Sequence, residues 1–496
     1  MRPALFRRLL GLGLCLGLLG GCSSAVHYPV NPGLEKLQLG EGYRGERMIR
    51  RSEDGKLMVI LTFSGGGSRA AALAYGVLEE LARHPVRWNG QTRRLIDEVD
   101  LVAGVSGGSI TATYWALAGD RIFTEFEPRF LQKDLQTRLI DRATSFSNVW
   151  RITSPRFGRG DLLAEELDEA LFEGATFGDL ARRRSGPFVV ISATDLASGA
   201  RFDFTQESFD LICSDLNRFP LARAVAASSA VPFVFSPITL WNRAGQCGEN
   251  PVMRRILDST DFAAVAEERI SQRLKDMARY ADVAQRPYIH LVDGGVADNL
   301  ALRGLVELDA LSRLDAGRQI TDQIFGAVER ALIIAVDAGA DNSTTISQSA
   351  DVPKLGQVAE ALADTLIQRY SDETRYLIRE TFGHWRTQAL DAGAPADDLP
   401  LHIVQVSLQH VADPDERKAL LAIPTTLYLP PAQTQALRAV AGRLIRESAD
   451  FQRLLRELDT RENTGWLTAR EGRPGARLET TAEAPEAAEA TPAARD

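Results

Sequence analysis

Residues 101–108 read Leu101-Val102-Ala103-Gly104-Val105-Ser106-Gly107-Gly108, and an apolar stretch from Ile110 to Ala118 follows. The first three residues predict a short buried strand, and 110–118 predicts a helix. Between them lies Gly-x-Ser-x-Gly. A serine on a sharp turn from strand to helix stands exposed above a sheet, where its hydroxyl can act as a nucleophile. Side chains at Gly104 or Gly108 would clash across such a turn. Ser106 is therefore the first candidate for a catalytic nucleophile.

The same alternation extends in both directions. Met58–Phe63 predicts a strand, Ser64-Gly65-Gly66-Gly67 a turn, and Leu73, Val77, Leu78 and Leu81 one face of a helix. Further strands are expected at Phe188–Ile191, Tyr288–Val292, Leu332–Val336 and Leu401–Val406. Strands separated by helices predict an α/β fold with a mostly parallel sheet covered on both faces. Leu437, Val440, Ala441 and Leu444, then Phe451, Leu454, Leu455 and Leu458, carry helical spacing, so the ordered domain is expected to continue to about residue 460. Residues 248–286 and 343–395 read as helical additions, either caps over the site or solvated surface. The tail 471–496 is Ala, Glu, Pro and Thr with almost no large apolar residue, and is expected to be disordered.

A nucleophilic serine needs a base, most often a histidine held by an acid. The six histidines are His27, His84, His290, His384, His402 and His410, and none sits in a loop with other site features. Asp293, in Val292-Asp293-Gly294-Gly295, ends a strand and enters a tight turn. At the carboxyl end of a strand it is placed to reach a serine on a neighbouring strand end. The plain alternative is a turn-forming Asp-Gly. A carboxylate with an ordinary pKa of about 3.9 is a weak base, so burial would have to raise it. Gly65, Gly66 and Gly67 precede a helix, where backbone N–H groups and the helix dipole favour negative charge, as on a tetrahedral oxyanion. Neither the P-loop nor the full dinucleotide glycine pattern is present, which weakens phosphate binding as the reading. Arg69 either steadies this loop, attracts an anionic head group, or is an ordinary surface arginine.

Composition narrows the partners. The chain has 496 residues and a net charge of −9, and the first 21 residues carry three arginines and no acid, leaving −12 for the rest. Without clustered cations, nucleic acid is excluded as a partner. For the same reason, lipid contact would have to rest on apolar surface or on an anchor. No Cys-x-x-Cys or Cys/His cluster with metal spacing occurs, and the expected chemistry needs no metal or cofactor. The sequence names no protein partner.

Arg2, Arg7 and Arg8, the apolar run Leu9–Leu19 and Gly20-Gly21-Cys22-Ser23 resemble the lipobox of bacterial lipoprotein signal peptides. The resemblance implies cleavage of 1–21, acylation of Cys22 and, from Ser23, an outer-membrane anchor facing the periplasm, while the polar, irregular stretch after Cys22, with Pro29, Pro32 and several glycines, reads as a tether over 22–56. The alternative is an ordinary secretory signal with an incidental cysteine. Export would leave Cys213 and Cys247 free to form a disulfide worth about 3–4 kcal/mol, the alternative being two buried thiols.

Taken together, Gly65-Gly66-Gly67-Ser68-Arg69, Gly104–Gly108 and Asp293-Gly294-Gly295 resemble the patatin-like phospholipase family. Ala193-Thr194-Asp195-Leu196-Ala197-Ser198-Gly199 and Ala227-Ser228-Ser229-Ala230-Val231-Pro232-Phe233-Val234-Phe235 add to the likeness. It spans residues 57–340, read as the catalytic core, and more loosely 341–460, read as a helical insertion plus a continuation of the domain. Ala70 departs from the glycine that the family often has in its first motif. The resemblance implies a three-layer α/β/α fold and a Ser–Asp dyad without histidine. Ser106 would be the nucleophile, Asp293 the base and Gly65–Gly67 the oxyanion loop, acting on a lipid acyl ester. Two rivals stay open: a Ser-Asp-His esterase using His384, His402 or His410, and a lipoprotein that binds lipid without catalysis.

Overall fold

In a computed structural model the described residues are 31–49, 56–88, 91–183, 186–258, 268–312, 328–340, 346–391, 393 and 400–460. The signal-like segment, Cys22 and the tail 471–496 lie outside them. The strands among the described residues are β1 (Leu57–Phe63), β2 (Pro85–Trp88), β3 (Gln91–Arg94), β4 (Val99–Gly104), β5 (Phe188–Asp195), β6 (Arg201–Asp203), β7 (Ile238–Trp241), β8 (Tyr288–Val292), β9 (Arg330–Asp337) and β10 (Leu401–Ser407). The main sheet runs β10-β9-β1-β4-β5-β8-β7, with β6 paired back on β5, while β2 and β3 form a separate hairpin.

Adjacent strands from β10 to β5 are parallel. β8 and β7 complete the sheet in antiparallel sense. Every residue of β1 is buried. Its side chains alternate between the two faces, so both faces of the sheet are covered, and the fold is three-layered α/β/α with a mostly parallel sheet.

The helices that matter to the site are α1 (Gly67–Arg83), α2 (Gly107–Ala118), α3 (Leu221–Ser228), α4 (Leu355–Asp391), α5 (Pro431–Glu447) and α6 (Ala449–Thr460). α5 lies on α1 at very short range: a Cβ on Gly76 would meet the Arg438 carbonyl oxygen at 2.6 Å. Arg438 also pairs with Glu79 at 2.8 Å. Leu437, Val440 and Ala441 of α5 and Phe451, Leu454 and Leu458 of α6 are buried, so packing continues through α6.

The expectation of a free tether over 22–56 is corrected for its described part. Residues 31–49 are packed into the domain. Tyr43 is fully buried; its hydroxyl accepts the Val189 N–H at 2.7 Å and donates to the Val189 carbonyl at 3.1 Å. Its ring lies 4.8 Å from that of Phe188 and 5.3 Å from that of Phe177. Glycine and proline set the irregular backbone here, but the few apolar side chains decide where it goes. The segment also runs along Cys213 and Cys247, whose sulfurs stand at bonding distance with Cα atoms 5.4 Å apart. The Leu34 amide donates to the Cys213 carbonyl at 2.9 Å, and the Leu37 amide to that of Cys247 at 3.0 Å.

Residues 355–391 form one long helix, whereas β10, α5 and α6 are integral to the sheet and its cover.

Candidate active site

Ser106 sits between β4 and α2 with φ 50° and ψ −125°, a conformation that an L-residue holds only when its surroundings impose it. Those surroundings are backbone. A Cβ on Gly107 would stand 1.9 Å from the Gly67 carbonyl oxygen, and one on Gly108 would stand 2.5 Å from that of Phe63. The first turns of α1 and α2 therefore abut at Gly67 and Gly107, and their positive dipole ends converge beside the serine.

Asp293 reaches Ser106 from the antiparallel edge. β5 outruns β4, since Gly104 is level with Ile191, and β8 meets β5 only at its far end, Val292 opposite Thr194. The chain leaving β8 thus arrives one step above the end of β4. It is fixed there from several directions. The Asp293 amide donates to the Ala230 carbonyl at 2.9 Å and the Gly294 amide to that of Ser228 at 3.1 Å. The Thr194 hydroxyl donates to the Asp293 carbonyl at 2.8 Å. Gly294 is required by space, because a Cβ would lie 2.2 Å from the Ser192 carbonyl oxygen.

The Asp293 side chain is 2% exposed. It accepts a hydrogen bond from the Gly295 amide at 2.8 Å, and the Ser106 hydroxyl interacts with it from the end of β4. Burial pushes its pKa up to about 6, against the downward pull of those two groups. A carboxylate so placed is a stronger base than an exposed one and is still ionised at neutral pH.

The glycine loop is narrower than the sequence reading. The Gly65 amide donates to the Asn299 carbonyl at 3.0 Å and is already committed. Among the described residues the amides of Gly66 and Gly67 donate to no acceptor, and neither does that of Gly107, which the sequence reading passed over. First-turn N–H groups have no partner within their own helix, which is why these two helix starts leave donors available. Gly66, with φ 139°, holds a conformation that side chains rarely adopt.

Arg69 is not a surface residue. It is 3% exposed. Its Nε donates to the Ala338 carbonyl at 2.7 Å and its Nη1 to that of Ile423 at 2.6 Å, bracing α1 against two other segments. Burial lowers its pKa to about 10. Ala70 is buried, and a Cβ on Gly66 would be 3.3 Å from its own Cβ, so the departure from glycine is accommodated in the helix.

The described histidines are engaged elsewhere. His402 is fully buried near the amino end of β10, 2.8 Å from Glu457 Oε2. That is the end of the sheet opposite to Ser106. His384 contacts Gln388 at 2.8 Å, His290 contacts Thr239 at 2.9 Å and His84 contacts Glu80 at 2.8 Å. His410 follows β10, two strands beyond β1 at the sheet edge. None of these is bonded to Ser106 or Asp293.

The sequence reading gave Ser228 no role of its own. Its hydroxyl accepts the Ser106 amide at 2.9 Å and donates to the Ser192 carbonyl at 2.7 Å. It is fully buried and ties the serine turn to β5. Ser228→Ala orphans both groups, so Ser106 is expected to shift against Asp293. The expected result is a fall in kcat of about ten- to a hundredfold with KM nearly unchanged. Steady-state kinetics on a soluble ester checks it; an unchanged kcat would remove Ser228 as a positioning residue.

A family model described as patatin-like phospholipase matches residues 61–306. The uncharacterised protein YqhO of Bacillus subtilis (strain 168) is 32% identical over 196 residues, covering 37% of this chain and 59% of that protein. The chain thus spans less than two thirds of that relative's length. Among solved structures, human GIVD cytosolic phospholipase A2 is similar at 14% identity and a TM-score of 0.43, over 86% of this chain and 68% of that one. VipD from Legionella pneumophila is similar at 14% identity and a TM-score of 0.30, over 87% of this chain and 71% of that one. Through residues 61–306 the chain belongs to the patatin-like phospholipase family.

Proposed function

We propose that the protein hydrolyses acyl esters of lipids through a Ser106–Asp293 dyad. The observation that carries this reading is the placement of a buried carboxylate, its pKa raised to about 6, beside a serine held in a strained strand-to-helix turn. Asp293 takes the hydroxyl proton as Ser106 Oγ bonds to the acyl carbon. The oxyanion forms against the amides of Gly66, Gly67 and Gly107, where one such donor is typically worth about 10²–10³ in rate. The ester C–O bond breaks, and the leaving alcohol takes the proton from Asp293. Water, deprotonated by the same carboxylate, then attacks the acyl-enzyme, and the proton returns to Ser106 as the fatty acid leaves.

The place of action is part of the same proposal. The Cys22 motif supports an acyl-anchored protein of the bacterial outer membrane, facing the periplasm, where phospholipid is the substrate at hand.

A long-chain fluorophosphonate tests the nucleophile. It is expected to add covalently to Ser106, read as a mass increment on the peptide that contains Gly104–Gly108. Lack of labelling while the protein remains folded would favour a lipid-binding protein without catalysis.

A further inference from the structure

α4 is only half embedded. Its second half buries Ser371, Thr374, Leu377, Ile378 and Phe382, while its first half, through Tyr370, buries Ala363 alone among its described side chains. The outward side of that first half is apolar. Leu355, Val358, Leu362 and Leu366 recur at intervals of three and four residues and are 86%, 39%, 56% and 61% exposed. Single exposed leucines are ordinary, but a stripe of four on one helix face is the mark of a surface that meets something apolar.

The stripe belongs to the surroundings of the site. α4 packs on the turn Gly295–Asp298, which directly follows the Asp293 step. Arg303 fastens it there: its Nε donates to Thr374 Oγ1 at 2.9 Å and its Nη1 to the Tyr370 hydroxyl at 2.8 Å. On the other side of Asp293, Ala230 accepts its amide, and Phe233 and Val234 follow, 65% and 49% exposed. The Phe233 carbonyl is held by Arg159 at 2.8 Å. One apolar outcrop thus follows a segment that fixes Asp293, and the other lies on the helix packed against the turn after it.

We propose that the Leu355–Val358–Leu362–Leu366 face of α4, with Phe233 and Val234, docks the site onto the surface of a phospholipid bilayer. The inference rests on the acyl-hydrolase reading, because a site for lipid esters must meet substrate packed in a bilayer. Charge selects the kind of contact. α4 carries six acids and four arginines in a chain of net charge −9, so attraction to anionic lipid is not the driving force. Apolar insertion is, and it is insensitive to salt. No helix among the described residues is long and apolar enough to cross a membrane, so the contact is with the surface.

The test uses the full chain with Cys15→Ser and Cys22→Ser, so that neither an acyl anchor nor a stray thiol interferes. Leu362→Cys labelled with an environment-sensitive fluorophore reports the contact locally, whatever the amino terminus does. Phosphatidylcholine vesicles are expected to shift its emission to the blue, equally at low and high salt and without added phosphatidylglycerol. In the same background, Leu362→Glu with Leu366→Glu is expected to lower hydrolysis of vesicle phospholipid about tenfold or more and leave a soluble short-chain ester unaffected. No emission shift, or undiminished vesicle hydrolysis in the double variant, overturns the proposal. A shift that grows with protein concentration without vesicles assigns the face to a second copy and also overturns it. If the label shifts but the parent chain hydrolyses neither substrate, the docking stands and the hydrolase reading falls.

Discussion

Ser106→Ala is expected to lower acyl-ester turnover by about 10⁴-fold or more, because removing a nucleophile leaves only the binding and oxyanion contributions. The protein should remain folded. Ser106 is 7% exposed and loses a single oxygen atom, and the strained φ of 50° is no harder for alanine than for serine. The Gly65–Gly67 loop and the α2 start keep their geometry, since the backbones of Gly67 and Phe63 and the hydroxyl of Ser228 hold the turn, not the hydroxyl of Ser106. Asp293 keeps the Gly295 amide but loses the Ser106 hydroxyl, which raises its pKa further. Turnover of phospholipid vesicles and of a soluble ester, with a thermal melt of the same sample, checks both halves. A variant that keeps its melting temperature and retains a tenth of the activity would remove Ser106 as the nucleophile.

The parts of this molecule that were legible in its sequence are those where local chemistry and tertiary role coincide. β1, β4 and β9 are buried on both faces, so their residues form near-continuous apolar runs that can be read directly. Ser106 is legible because its turn admits only small neighbours on three sides. Asp293 is legible because a strand end followed by two glycines is a marked position. What could not be read depends on distant segments. Tyr43 lies in a polar, glycine-containing stretch, and the partners of its hydroxyl come from β5, far along the chain. The antiparallel course of β8 is a matter of register, to which composition is blind. The commitment of the Gly65 amide rests on one carbonyl 234 residues downstream, at Asn299. Ser228 is one of two adjacent serines, and only the fold shows which one faces Ser106. The continuity of α4 hides its outward leucines, because an amphipathic pattern names an apolar face without saying whether protein covers it.

Asp293→Asn is expected to separate activity from stability in opposite directions. For activity, the base is lost, and turnover falls by about 10³–10⁴-fold. In the parent protein, kcat/KM should fall about tenfold per pH unit below the carboxylate's pKa of about 6, and that limb should vanish with the residue. For stability, the sign follows from the raised pKa. The folded chain releases the Asp293 proton near pH 6 and the unfolded chain near the ordinary 3.8. The folded state thus holds the proton more tightly, and stability declines as pH rises from 3.8 to 6, by about 3 kcal/mol in all. Asparagine keeps the shape and an acceptor for the Gly295 amide without the buried charge. The variant should therefore be more stable than the parent at pH 8, by up to about 3 kcal/mol, and nearly equal to it at pH 4. Asp298 is also raised to about 6 and shapes the parent's own pH profile, but it is common to both proteins and cancels in the difference. Denaturant unfolding at the two pH values measures it. A variant less stable at pH 8 would mean that the carboxylate is a structural partner of Ser106 and Gly295. A more stable, inactive one would mean that the fold tolerates a charge which only the chemistry at Ser106 requires.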